Sequence, residues 1–257
     1  MSAEVITEVE AGVALLRLAR PAKRNALDAA MVAALHAACV ALDRDDGVRC
    51  VILTGTDRAF CAGGDIDAWG ALSPRDFAWR WVRDGHGAFD ALARLRQPVV
   101  AALNGHALGG GLELAACADV RVAEEQVKIG QPEPGLGVVA GWSGTQRAVR
   151  RFGANVVRRM TLFGEVFGAE EARRLGLVDH VVGAGESLGR ARELAAAAAA
   201  RGPLAVQLSK LTINAAEGEE RERALDLLAG GVAAHSADLR EGVAAFRAKR
   251  APDFSGE

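Results

Sequence analysis

The sequence lacks the patterns that mark most metal-binding, secreted and membrane proteins. Its four cysteines form no CxxC pair, and together with five scattered histidines they match no zinc-ligand spacing. No apolar run approaches the ~18 residues of a membrane helix. Residues 1–10 carry acids without the apolar stretch of a secretory signal. We therefore expect a cytoplasmic protein with free thiols and neither a metal nor a membrane partner.

A strong charge of one sign is also absent. The chain has 257 residues, and 31 Lys and Arg against 33 Asp and Glu leave a formal net charge of -2. The overall field of such a chain does not attract nucleic acid or an anionic membrane, so nucleic acid is not an expected partner. Half of the residues are hydrophobic and a quarter are charged, which is typical of a folded domain with a sizeable core.

Strand and helix patterns alternate through about residue 180. The predicted elements are a hairpin at 5–18, a helix that follows Asp28, strands at 48–53 and 98–103, a helix at 112–118, and strands at 120–123 and 127–129. From Ser187 onward the composition shifts to Ala, Leu, Arg and Glu, and only helices are predicted. The sequence thus predicts an α/β core over 1–190 and a helical region over 191–257.

Two glycine-rich segments, 60–66 and 104–111, follow predicted strands. Glycine leaves backbone N–H groups uncovered, and the first N–H groups of a helix have no partner within it. If the two turns converge, they supply an oxyanion hole; close packing of strand on helix is the structural alternative for the same glycines. Neither segment is a nucleotide loop, because G-x-G-x-x-G spacing is absent and Leu112-Glu113 stands where a phosphate loop has Lys and Ser or Thr.

Two glutamates are the candidate catalytic side chains. Glu113 stands in the first turn of a predicted helix, where a carboxylate is also favoured by the helix dipole. Glu133 lies in the Pro/Gly-rich loop 131–137, where no helix is predicted and capping gives no reason for a carboxylate. Two carboxyl groups at one pocket can divide acid and base work when their environments separate their pKa values.

Other polar residues carry weaker signals. Ser143 lies among glycines but lacks the G-x-S-x-G spacing of a nucleophile, so a structural role is expected. Seven arginines between positions 147 and 174 form a locally basic stretch. This pattern predicts that their side chains lie on solvated helix faces; a surface that contacts RNA or phosphate is the alternative. They are Arg147, Arg150, Arg151, Arg158, Arg159, Arg173 and Arg174.

Taken in order, these segments resemble the crotonase family, also called the enoyl-CoA hydratase/isomerase superfamily. The resemblance spans nearly the whole chain. The motifs that carry it lie at 20–27, 59–66, 101–119, 131–153, 176–178 and 245–250. It implies an α/β fold in which 1–190 form a spiral of ββα units that holds the active site. The helices of 191–257 are expected to drive assembly into a homotrimer or into a hexamer of two stacked trimers.

The resemblance also implies roles for individual residues. It maps the oxyanion hole onto the backbone N–H groups of Gly64 and Gly110, and a water-holding amide onto Gly141. The hydratase pair maps onto Glu113 and Glu133. No separate cofactor is expected, because coenzyme A enters as part of an acyl-CoA thioester substrate. The residues expected near its coenzyme A part are Arg24, Ala62, Ile66 and Lys249.

The implied reaction adds water across a trans-2-enoyl-CoA to give a 3-hydroxyacyl-CoA. Glu133 is expected to supply the proton to the α-carbon while Glu113 activates the water. Because the fold hosts several chemistries, an enoyl-CoA isomerase, a decarboxylase or a thioester hydrolase remains an alternative, as does a non-catalytic CoA- or RNA-binding protein.

Trp142 departs from the family pattern, which has a small residue at its position. The indole either reshapes the acyl pocket or packs outward. Phe77, Trp79 and Trp81 lie in the variable segment 69–81, which corresponds to a pocket-lining region. These rings motivate the hypothesis that an aromatic acyl group is accepted.

Overall fold

A computed structural model describes residues 4–257. The strands of this part are β1 (Val5–Glu10), β2 (Val13–Leu18), β3 (Cys50–Gly55), β4 (Val99–Leu103), β5 (Ala107–Leu108), β6 (Val120–Glu124), β7 (Lys128–Gly130), β8 (Val166–Gly168) and β9 (His180–Val182). The α-helices are α1 (Ala29–Arg44), α2 (Ile66–Trp69), α3 (Pro74–Asp76), α4 (Arg83–Ala93), α5 (Gly110–Ala115), α6 (Gly144–Phe152), α7 (Ala154–Phe163), α8 (Ala169–Arg174), α9 (Ser187–Ala199), α10 (Pro203–Ala216), α11 (Arg221–His235) and α12 (Ala237–Ala248).

The larger sheet has six strands in the order β1-β2-β3-β4-β6-β9. β1 and β2 pair antiparallel as the predicted hairpin, and the remaining neighbours pair in parallel. A smaller sheet joins β5, β7 and β8. β3 and β4 are therefore adjacent parallel strands, and the loops that follow them leave the sheet at the same edge.

The central strands are apolar throughout because both of their faces are buried. In β3, Val51 and Leu53 join the cluster formed with α1 and α4. Cys50 and Ile52 point to the opposite face, where they pack with alanines of α9. All four cysteines are free and buried, as expected. Burial raises the pKa of three of these thiols, those of Cys39, Cys50 and Cys61, to about 12.

Local sequence signals explain the start of α1. The Asp28 side chain caps this helix by accepting a hydrogen bond from the Met31 N–H at 2.9 Å, which confirms the predicted N-cap. The predicted helix at 112–118 is placed too late, since α5 covers Gly110–Ala115. Its first residues are glycines, which have poor helix propensity and gave no helical signal.

The chain divides into two compact units, one ending at Lys210 and the other covering Leu211–Glu257. The first unit thus extends past the 1–190 range that the composition predicts. Two contacts within it explain the difference. Helix α9 covers one face of the sheet, and the buried Lys210 pairs with Asp119 at 2.8 Å.

Helices α11 and α12 belong to the second unit. The spacing of Asp238 and Glu241 in the sequence predicts a capping box, but the structure places the cap two positions earlier: the Ser236 hydroxyl caps α12 by accepting a hydrogen bond from the Leu239 N–H at 3.0 Å. Glu241 instead forms an ion pair with Arg250 at 2.6 Å. Between residues 4 and 257 no helix is long and apolar enough to cross a membrane. The same part of the chain has no group of three or more side chains placed to ligate a metal ion.

Candidate active site

The two glycine-rich turns converge. They follow the adjacent strands β3 and β4, and an isolated parallel bridge joins Cys61 of the first turn to Ala107 of the second. A Cβ built on Gly110 would lie 3.3 Å from the backbone nitrogen of Gly64, so any side chain there would crowd the first turn. The convergence that an oxyanion hole requires is therefore present.

Pairing with Leu27 sets the direction of the Gly64 N–H. The Leu27 N–H donates to the Gly63 carbonyl at 2.8 Å, and the Asp65 N–H donates to the Leu27 carbonyl at 2.7 Å. Because the peptide groups on both sides of Gly64 bond to Leu27, its own N–H points away from Leu27. Neither this N–H nor that of Gly110 has a hydrogen-bond partner within residues 4–257. Both donors remain available to a ligand.

The backbone at Gly109 requires glycine. Its φ is +53°, and a Cβ there would lie 3.1 Å from Oε1 of Glu133. The turn opens α5, which has only six residues. An anion here would therefore be stabilised mainly by the two N–H groups, because a helix this short contributes little dipole.

The first glycine-rich turn is supported by an ion pair to which the sequence analysis assigned no role. Arg20 donates to Oδ2 of Asp65 at 2.7 Å, directly beside Gly64. The other Asp65 oxygen caps α2 by accepting from the Asp67 N–H at 3.1 Å. Burial disfavours the charge on Asp65, but these hydrogen bonds outweigh it and lower its pKa. The ion pair and the cap thus fix the residue that directly follows Gly64.

Glu113 is buried and held by two backbone donors. Its Oε1 accepts hydrogen bonds from the N–H groups of Trp142 at 2.7 Å and Gly144 at 2.8 Å. A Cβ on Gly144 would overlap the carboxyl group, so this glycine lets the loop approach so closely. Burial raises the pKa of Glu113 to about 7; the negative charge of Glu133 acts in the same direction, and the two backbone hydrogen bonds act against it.

Glu133 is the first residue of a short 3₁₀ turn, Glu133–Leu136, in the loop where no helix was predicted. Both of its carboxyl oxygens are buried without a hydrogen-bond partner in the described part of the chain. Burial raises the pKa of Glu133 as well. A buried carboxyl group without protein partners is unusual and is typical of a site that binds a ligand or water.

One cavity brings together all five residues predicted for the chemistry. It is lined by Gly64, Gly110, Glu113, Glu133 and Gly141. The donors to Glu113 are the amides of Trp142 and Gly144, which follow Gly141 in the same loop.

The four residues expected near coenzyme A are distributed differently. Ala62 and Ile66 line the cavity, and the exposed Arg24 accepts a hydrogen bond at its carbonyl from the Ala62 N–H at 3.1 Å. Lys249 lies in the second unit, exposed at the C-terminal end of α12.

The aromatic side chains divide between cavity and solvent. Trp69, Phe77 and Trp81 line the cavity, whereas Trp79 is 65% exposed. Trp142 is only 3% exposed and also lines the cavity. Of the two orientations predicted for its indole, outward packing is therefore wrong.

Arg147 was predicted on a solvated helical face, and this is wrong. The side chain is 1% exposed, donates to Oδ1 of Asp90 at 2.7 Å and lies 3.6 Å from Sγ of Cys117. Its positive charge acts to lower the pKa of Glu113. The sequence held no signal for this burial, because Asp90 lies 57 positions away.

Comparisons with known proteins agree with this geometry. The enoyl-CoA hydratase/isomerase family model matches residues 8–257. The chain is 37% identical over 253 residues to the crotonyl-CoA hydratase of Syntrophomonas wolfei, with 97% of each chain covered. It is 36% identical over 259 residues to the 2,3-dehydroadipyl-CoA hydratase of Escherichia coli, with 98% of this chain and 99% of that one covered.

Among solved structures, an enoyl-CoA hydratase from Bacillus anthracis matches with a TM-score of 0.81 and 31% identity. The match covers 99% of this chain and 100% of that one. The predicted crotonase-like fold is thereby confirmed, and the chain belongs to the enoyl-CoA hydratase/isomerase family.

Proposed function

We propose that this protein is an enoyl-CoA hydratase, a hydro-lyase that adds water across a trans-2-enoyl-CoA to give a 3-hydroxyacyl-CoA. The observation that carries the proposal is the cavity in which two buried carboxyl groups face two unpaired backbone N–H groups. The names of the relatives, a crotonyl-CoA hydratase and a 2,3-dehydroadipyl-CoA hydratase, support the same reaction class.

The N–H groups of Gly64 and Gly110 bind the thioester oxygen. When hydroxide adds to the β-carbon, negative charge moves to this oxygen and forms an enolate. Donors aimed at that position stabilise the developing charge without reorganisation, and the loss of one such donor typically costs about 3 kcal/mol of transition-state stabilisation. The aim of Gly64 depends on its pairing with Leu27, and that of Gly110 depends on the turn at Gly109.

The two glutamates divide the proton transfers. Ionised Glu113, anchored through Oε1, takes a proton from the water with its other oxygen as the new C–O bond forms. Protonated Glu133 gives its proton to the α-carbon as the enolate collapses. The cycle closes when Glu113 passes the gained proton back to Glu133. Burial raises the pKa of both groups, which supports a pair that shares one proton.

The substrate brings coenzyme A with it, and we infer that no separate cofactor takes part. Ala62 and Ile66 lie at the cavity and Arg24 adjoins Ala62, which supports the inference that the coenzyme A part binds on this side. A phosphate contact from Arg24 and a position of Lys249 near coenzyme A stay predictions of the resemblance, and a location in the cytoplasm stays a prediction from the sequence.

Assembly into a homotrimer or hexamer is also part of the proposal. Its support is the apolar surface of the second unit, where Leu225 is 64%, Val232 77% and Phe246 85% exposed. Sedimentation velocity is expected to give a trimer or hexamer that Val232→Asp weakens. A monomeric wild-type protein would contradict this part of the proposal.

The test of the reaction is the loss of near-UV absorbance of crotonyl-CoA, with the product identified by mass. Wild-type protein is expected to add one water, and Glu113→Gln and Glu133→Gln each to lower kcat at least about 100-fold, since acid–base catalysis contributes 10²–10⁴-fold. Glu10→Gln, at an exposed strand end, is the matched control and should keep wild-type activity.

Other outcomes would point to other chemistry. Glu113→Gln with substantial activity toward a 3-enoyl-CoA would identify an isomerase that depends on Glu133 alone. An unchanged crotonyl-CoA spectrum despite binding of the thioester would overturn the hydratase proposal. Retention on RNA that weakens with salt would favour the RNA-binding alternative.

A further inference from the structure

Trp142 stands between the candidate cavity and the core. Its Nε1 donates to the backbone carbonyl of Trp81 at 3.1 Å. Its ring centroid lies 4.9 Å from that of Trp81 and 5.0 Å from that of Phe89. A hydrogen bond and two aromatic neighbours therefore hold the indole in one orientation, with one edge at the cavity.

Gly85 of α4 makes room for this indole. A Cβ built on Gly85 would overlap Nε1 and two neighbouring ring atoms of Trp142. Glycine in a helix interior costs about 1 kcal/mol relative to alanine, so α4 gives up helical stability where it receives the ring. At its other end the ring reaches the catalytic turn, since a Cβ on Gly110 would lie 3.0 Å from Cζ3 of Trp142. The indole thus spans from α4 to Gly110.

The helix before α4 closes the same side of the cavity. Residues 77–82 form a π-helical turn between α3 and α4, and it is the carbonyl of Trp81 in this turn that accepts the indole hydrogen bond. Cγ2 of Val82 would lie 3.7 Å from a Cβ on Gly141. The π-helical turn and the loop at 141–142 therefore lie side by side, joined by the hydrogen bond from the Trp142 indole.

Trp142 and the π-helical turn at 77–82 border the part of the cavity in which the acyl chain is expected to end. With the thioester oxygen at Gly64 and Gly110, and with the reacting carbons between Glu113 and Glu133, the coenzyme A side faces Ala62 and Ile66. With this placement the acyl chain is expected to extend in the other direction, toward Trp81 and Trp142, which also line the cavity. The cavity has a volume of about 110 Å³, far below the ~300–1,000 Å³ of pockets that enclose whole drug-sized ligands.

We propose that Trp142, seated against Gly85, determines specificity by closing the acyl end of the cavity and limiting the substrate to short enoyl groups. The inference rests on the proposed hydratase function. It replaces the aromatic acyl group suggested by the sequence, because the rings themselves fill the space that such a group needs.

The first test compares wild type, Trp142→Ala and Trp142→Phe on enoyl-CoAs of four and eight carbons. The ratio of kcat/KM for the longer over the shorter substrate is expected to rise about tenfold or more in Trp142→Ala, since each methylene in an apolar pocket is worth 10–200-fold. Trp142→Phe keeps most of the packing and should give a smaller rise. Trp79→Ala is the matched control, because Trp79 is exposed on the same helical run, and its ratio should equal that of wild type.

A binding measurement separates failure of this inference from failure of the proposed function. Calorimetric titration with butyryl-CoA and octanoyl-CoA requires no turnover, and wild type should prefer butyryl-CoA whereas Trp142→Ala should lose that preference. A protein with this binding pattern but no hydration would sink the hydratase proposal and keep the pocket assignment. Equal length preference in wild type and Trp142→Ala, in both assays, would overturn the inference about Trp142.

The pairing with Gly85 has its own readout. Gly85→Ala is expected to lower the melting temperature in the wild-type background, because the added methyl group meets the indole. In the Trp142→Ala background the same change should leave the melting temperature unchanged or raise it, because alanine favours the helix. An equal loss in both backgrounds would show that Gly85 does not serve to seat Trp142.

Discussion

Replacing Glu113 by glutamine should change how the free energy of unfolding depends on pH. Burial raises the pKa of Glu113 from its ordinary value of 4.5 to about 7. Between these two values the folded state binds more protons at this site than the unfolded chain, so the contribution of Glu113 to stability falls as pH rises. It is fully present below about pH 4.5 and is lost once pH exceeds about 7. Since one pKa unit corresponds to 1.36 kcal/mol, the full contribution is about 3 kcal/mol.

Glutamine mimics the protonated carboxyl group, and its side-chain oxygen can still accept from the N–H groups of Trp142 and Gly144. Glu113→Gln should therefore match wild type near pH 4 and gain about 3 kcal/mol over it near pH 8. Urea unfolding followed by circular dichroism measures this difference at a fixed protein concentration, because assembly also shifts apparent stability.

Two further variants make the comparison specific. Glu10→Gln, at the exposed end of β1, should follow the wild-type pH dependence. Glu133→Gln removes a negative charge that raises the pKa of Glu113, so the contribution of Glu113 should become smaller. Parallel curves for wild type and Glu113→Gln from pH 5 to pH 8 would refute the reasoning, because they would show that the carboxyl group is ionised equally in the folded and unfolded states.

Two other changes probe the support of the site. Gly144→Ala places a Cβ on the Glu113 carboxyl group and should lower kcat about 100-fold with the fold retained, as expected for a small misplacement of a catalytic group. Gly168→Ala is the control, because a Cβ on Gly168 would meet no other atom. An unchanged kcat in Gly144→Ala would contradict the assignment of Glu113 as a catalytic residue. Arg147→Met breaks the ion pair between the buried Arg147 and the partly exposed Asp90 and should reduce the free energy of unfolding by about 2 kcal/mol, less than the loss of a fully buried pair because Arg94 still pairs with Asp90; equal stability of Arg147→Met and wild type would contradict this pairing.

The sequence was sufficient where the signal is local. Asp28 precedes an apolar period of 3.6 residues, and α1 begins there. The glycines of 60–66 and 104–111 indicated uncovered backbone, and the parallel pairing of β3 with β4 explains why the two turns meet. The pairing of the two glutamates came from the resemblance; both line one cavity, and their catalytic roles stay a prediction.

Features that depend on distant partners were not predictable. In sequence Arg147 looks like Arg150 and Arg151, which are only partly buried, and its pairing with Asp90 on another helix explains its full burial. The inward direction of Trp142 depends on the missing side chain at Gly85, 57 positions earlier. The π-helical turn at 77–82 has no known sequence signature of its own, and its partner, the Trp142 indole, lies 61 positions after Trp81.

The buried thiols can report local unfolding of the core. A thiol with a pKa of about 12 is ionised in only about one molecule in 10⁵ at pH 7, so Cys39, Cys50 and Cys61 are protected from alkylation by chemistry as well as by burial. Cys50 lies on the face of the sheet covered by α9, while Cys39 and Cys61 lie on the opposite face. Pulsed labelling of native protein would therefore record, cysteine by cysteine, which layer of helices detaches first.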